Sequence, residues 1–132
     1  QTGEIVVDGV TRHYRIYQDG QKGALGGWIS ARDFGECACW WTEDMQGGGE
    51  RSIFACTSFE DPRITLPLKG ITRGTVYASG YVAEKPAGSD VTTIHYIVHV
   101  NLGGSLPYWV INKALPGEMM SLYNALNKIF TN

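Results

Sequence analysis

Two periods of apolar and polar residues divide this chain. Up to about residue 101 the apolar positions fall in short β-like runs separated by glycine-rich turns. Beyond residue 105 they recur every third or fourth position, the spacing of one helical face. The first region predicts six strands: Glu4–Val7, Val10–Tyr17, Glu36–Thr42, Arg51–Phe59, Ile71–Glu84 and Val91–Asn101. Asp8-Gly9 joins the first two and marks a hairpin, because a two-residue type I′ turn needs positive φ at both positions. Gly74 and Gly80 are expected bend or bulge points in the fifth run. Asp19–Ser30, with four glycines, reads as a loop.

The second region predicts a helix opened by Ser105 as cap, with Pro107 in its first turn. Its stripe is Tyr108, Ile111, Leu115, Met119, Leu122, Leu126, Ile129 and Phe130. The stripe stays in phase across Pro116-Gly117, so one kinked helix is expected there rather than two. Short turns between consecutive strands imply an antiparallel meander. One sheet face needs a cover, and the terminal helix supplies it. The predicted class is α+β, a curved antiparallel sheet of about six strands gripping a long C-terminal helix.

Alternation along the last strand assigns Ile94, Tyr96, Val98 and Val100 to the inner face, and Thr93, His95, Ile97 and His99 to the outer one. On a strand, His95 and His99 lie roughly 13 Å apart, too far to share a zinc ion with bonds of about 2 Å. Cys37 and Cys39 point the same way on their strand, with Cys56 on the next; they read as small core residues. Met119 and Met120 fit either a ligand wall or plain core packing.

Composition narrows the function. At 132 residues one domain is expected. The net charge of −2 is spread without long runs, which argues against nucleic acid as a partner. No apolar run approaches the roughly 20 residues that span a bilayer. Three cysteines, an odd and small number, point to reduced thiols and a cytoplasmic setting. The chain has no Gly-x-Ser-x-Gly, no Gly-Lys-Ser/Thr loop and no zinc motif, so an enzyme is not expected and no cofactor is implied.

Three motifs carry a family resemblance. Gly103-Gly104-Ser-Leu-Pro-x-Trp-Val-Ile-Asn-Lys-Ala-Leu-Pro116 resembles the last strand-to-helix junction of START domains, the steroidogenic-acute-regulatory-related lipid-transfer family. Ile29-Ser-Ala-Arg-Asp-Phe34 resembles the family's Ser-x-Arg-Asp-Phe/Tyr loop, and Lys69-Gly-Ile-Thr-Arg-Gly74 its approach to the penultimate strand. The resemblance implies a helix-grip fold and the binding and intermembrane transfer of a single lipid, such as a sterol or phospholipid, with transient membrane contact.

It further implies a lid loop of Trp28, Ser30, Arg32, Asp33 and Phe34, in which Arg32 and Asp33 brace the loop. Ligand-binding residues are expected among Ile94, Tyr96, Val98, Met119, Met120, Leu122 and Leu126. A lipid-sensing regulatory module and a related enzyme such as a polyketide cyclase are the alternatives. The matched part is the C-terminal two-thirds of the family fold. Completion by a missing N-terminal segment, by self-association or by a partner is therefore an expectation.

Overall fold

The computed structural model describes residues 1–23, 27, 29–64, 67 and 69–130. Its strands are β1 (Thr2–Val7), β2 (Val10–Gln21), β3 (Arg32–Asp44), β4 (Gly49–Ser58), β5 (Thr72–Arg73), β6 (Thr75–Val76), β7 (Ser79–Pro86), β8 (Thr93–Ile97) and β9 (Val100–Asn101). One helix, α1 (Tyr108–Phe130), follows. The main sheet runs β1-β2-β3-β4-β7-β8 with antiparallel neighbours, and β5 adds a parallel pairing to the start of β3. The fold class matches the expectation: an antiparallel meander and one long C-terminal helix.

Local chemistry explains the elements. Asp8 and Gly9 take φ of 51° and 77°, the pair of positive values that a type I′ turn demands. Two expected long strands are broken. The run from Ile71 becomes β5, β6 and β7. Gly74 sits where a Cβ would press into the Phe34 ring, and Gly80 where one would press into the Phe54 carbonyl oxygen. The run from Val91 stops at Ile97, after which β9 pairs with β6 instead of β7. β2 and β3 are each longer than expected, and extend to pair Gln21 with Arg32.

The helix is continuous through Pro116. It begins at Tyr108, with the Pro107 carbonyl accepting from the Val110 and Ile111 N–H groups. Ser105, the expected cap, lies exposed before it. The buried apolar residues are few: Ile29, Phe34, Ala38, Val76 and Val110 among those described. Protein interiors ordinarily pack to crystal density. Here α1 buries Val110 near its start, while farther along Leu115 and Met119 remain more than 40% exposed. Space is left between the two layers.

Candidate functional site

The register assigns the inner face. Tyr17 pairs with Glu36, and Arg15 with Ala38, which pairs with Cys56. His13, Trp40, Phe54, Tyr81 and Tyr96 form one cross-strand row over five strands. Two of its steps are ring stacks, His13 on Trp40 at 5.7 Å and Phe54 on Tyr81 at 5.0 Å. This row gives the sheet a flat apolar floor. Cys37 and Cys39 take the opposite parity to Cys56 and leave the inner face to it.

A cavity of about 770 Å³ lies between this floor and α1. Phe34, Phe54, Tyr81, Tyr96 and Val98 line it from the sheet side, and Ile111, Ala114, Leu115 and Leu122 from the helix. A second cavity of about 520 Å³ adjoins it across Phe54 and Tyr81, lined also by Arg15, Tyr17 and Trp40. Both volumes fall within the range of small-molecule sites, about 300–1,000 Å³.

Polar side chains also line the larger cavity, among them Arg32, His99 and Glu118, and Glu36 makes a buried acidic corner in it. Glu36 is 7% exposed, and the Tyr17 hydroxyl donates to its Oε2 at 2.9 Å. Burial raises the Glu36 carboxyl above its ordinary range, and the neighbouring Asp19 charge adds to the rise. Burial and Glu36 together push the Cys56 thiol up to about 11. Tyr17 is raised by burial first and then by Glu36. No motif flagged this corner. The signal that would have found it is the cross-strand pairing of Tyr17 with Glu36, which local patterns do not contain.

Arg32 and Asp33 occupy the first two places of β3, and Phe34 the third, so these three belong to a strand rather than to a loop. Arg32, 5% exposed, donates from Nε to the Leu102 carbonyl at 3.2 Å and from Nη1 to Ser30 Oγ at 2.7 Å and the Ser30 carbonyl. It thereby ties β3 to the chain just before α1. Asp33, 4% exposed, faces the other way and accepts from Arg73 Nε and Nη2 at 2.8 and 2.7 Å and from Gln18 Nε2 at 2.6 Å. The Arg73 bond holds the Asp33 carboxyl below its ordinary range.

Of the expected ligand residues, Tyr96, Val98 and Leu122 line the larger cavity. Ile94, Met119, Met120 and Leu126 do not, and Met120 is 57% exposed. Among the expected lid residues Arg32 and Phe34 line it, while Ser30 and Asp33 do not. Trp28 lies outside the described residues. His95 stays off the cavity, 3.8 Å from Glu84. His99 was expected there too, but it lines the cavity, its ring 4.4 Å from Tyr77. The reason is the end of β8 at Ile97: Val98, His99 and Val100 all border the cavity, so alternation no longer applies. Among the described residues no group of three or more His, Cys, Asp or Glu side chains could hold a metal ion. No helix among them is long and apolar enough to cross a membrane.

Comparison with solved structures places this architecture. The chain is similar to human StAR-related lipid transfer protein 5, with a TM-score of 0.67 and 23% identity over 99% of this chain and 59% of that one. It is also similar to human STARD10, with a TM-score of 0.56 and 24% identity over 96% of this chain and 49% of that one. The chain thus spans about half to three-fifths of the length of these relatives. No curated protein sequence matches it. The START domain family model matches residues 4–132, and with nearly the whole length matched the chain belongs to the START domain family.

Proposed function

We propose that this chain binds one lipid, or a similarly hydrophobic molecule, between α1 and the inner sheet face, and carries it between membranes. The observation that carries this reading is the cavity of about 770 Å³, whose lining is rich in aromatic and aliphatic side chains with polar groups among them. Each methylene buried there contributes about 0.8 kcal/mol. A chain of ten such groups contributes roughly 8 kcal/mol before the cost of ordering it. No covalent step is required. Tyr96, Val98 and Leu122, with Phe54, Tyr81 and Ile111, form the proposed ligand wall; Ile94, Met119, Met120 and Leu126 flank it on the same two elements.

Exchange requires the wall to open. The proposed moving parts are α1 and the segment that leads into β3 through Ser30, with Arg32 bracing both. Such a carrier works in the cytoplasm and meets membrane surfaces transiently. Mass spectrometry of lipids extracted from the purified protein, together with a vesicle-to-vesicle transfer assay, tests the reading. A stoichiometric lipid and a protein-dependent transfer rate are expected. A lipid-free extract together with an unchanged transfer rate would sink it.

A further inference from the structure

Glu36 lines the cavity, and its one bond to a neighbouring strand that involves an oxygen donor comes from the neutral Tyr17 hydroxyl rather than from a cation, unlike the Asp33–Arg73 pair. A buried carboxylate is costly unless it is paired and hydrogen-bonded. Here the groups acting on it are Tyr17, Cys56 and Asp19, and none of these is a cation. A carboxylate accepts about four hydrogen bonds. Tyr17 supplies one, and the Cys56 thiol is a weak second donor. The remaining acceptor capacity faces the cavity that Glu36 lines.

The nearby charges define what fits. Arg32 lies on the same strand face, but its guanidinium is committed to Ser30 and the Leu102 carbonyl. The Arg15 guanidinium packs over the Tyr17 ring at 5.6 Å and borders the second cavity instead. Lys22 borders the larger cavity from an exposed position. Asp19 adds a second negative charge on the same face. A carboxylate or phosphate placed at this corner meets like charge. A hydroxyl or an ammonium meets an acceptor with free lone pairs.

We propose that Glu36, held by Tyr17, reads the polar end of the bound molecule and selects heads that donate hydrogen bonds, hydroxyl or ammonium, over anionic ones. This rests on the lipid-binding reading above. It assigns the cavity a ligand class, an amphiphile with a donor head and no negative charge.

The test uses three pyrene-labelled amphiphiles of one chain length, ending in a hydroxyl, an ammonium or a carboxylate. Their dissociation constants are measured by fluorescence titration on the wild-type chain and on Glu36→Gln. The hydroxyl or ammonium probe is expected to bind wild type about tenfold or more tighter than the carboxylate probe, the scale of a hydrogen bond to a charged group. Glu36→Gln is expected to narrow that gap to about twofold, with an unchanged circular dichroism spectrum. Tighter binding of the ammonium probe identifies a cationic head; equal binding of the two donors identifies a hydroxyl.

A carboxylate probe bound as tightly as the others by wild type overturns the proposal while lipid binding stands. A gap that survives in Glu36→Gln overturns the role of Glu36. Failure of all three probes to bind removes the lipid reading and this inference together. The wild-type comparison decides even if the variant does not fold.

Discussion

Asp33 and Glu36, three positions apart on β3, face opposite sides of the sheet and respond oppositely to pH. Asp33 has a lowered pKa in the folded state. Its contribution is present above the ordinary carboxylate value of 3.8 and is lost as pH falls through the folded value. Glu36 has a raised pKa. Its contribution is present below the ordinary value of 4.5 and is lost as pH rises through the folded value. Glu36→Gln is therefore expected to melt higher than wild type at pH 7, by roughly 3 °C, and to lose that advantage by pH 4. Calorimetry at both values checks the sign. Asp33→Ala leaves Arg73 and Gln18 without their shared acceptor. It is expected to cost about 3 kcal/mol in urea unfolding, and an unchanged midpoint would show the pair to be dispensable.

At the scale of elements, some of the fold was legible in local sequence. The Asp8-Gly9 hairpin follows from two residues that tolerate positive φ. The helix follows from a stripe that stays in phase through Pro116. The divided strands were not legible. Alternation cannot show that the chain after Ile97 leaves β7 and pairs with β6, because that depends on residues about twenty-five positions upstream. The Tyr17–Glu36 contact was hidden for the same reason, being nineteen residues apart in sequence. Arg32–Phe34 read as a loop because their β partners lie beyond a glycine-rich stretch.

Two substitutions probe these elements. Gly80→Ala puts a methyl against the Phe54 carbonyl at a φ of 152°. It is expected to cost more than about 1 kcal/mol by loosening β4 from β7, seen as faster amide exchange in both strands. Pro116→Ala restores a backbone donor inside α1. It is expected to raise stability by up to about 2 kcal/mol and to slow vesicle-to-vesicle transfer. A transfer rate that does not change would mean that bending at Pro116 plays no part in opening.

For the whole molecule the governing feature is that Phe34, Phe54, Tyr81, Tyr96, Ile111 and Leu122 border a space rather than a filled interior. That arrangement withholds packing energy from the fold and makes it available to a guest. Filling the space should reverse the exchange. Ala114→Trp, on the helix wall of the cavity, is expected to reduce bound lipid at least several-fold by native mass spectrometry while holding or raising the melting temperature. Loss of both lipid and stability would place Ala114 in tight packing instead. On the proposed carrier reading, the anchoring of the chain before α1 gives the opening a direction. Arg32 holds the Leu102 carbonyl immediately before Gly103 and Gly104, whose φ values are 68° and 69°. The helix beyond has 23 residues, about 34 Å of rigid arm at 1.5 Å per residue. A tilt of about 10° at the glycines displaces its first turn by little more than 1 Å and its last by about 6 Å. On the lipid-carrier reading proposed above, a small rotation at the fixed end becomes a wide gap at the free one, and a guest is expected to pass at the far end of the arm, beyond Leu122, with the pivot shut.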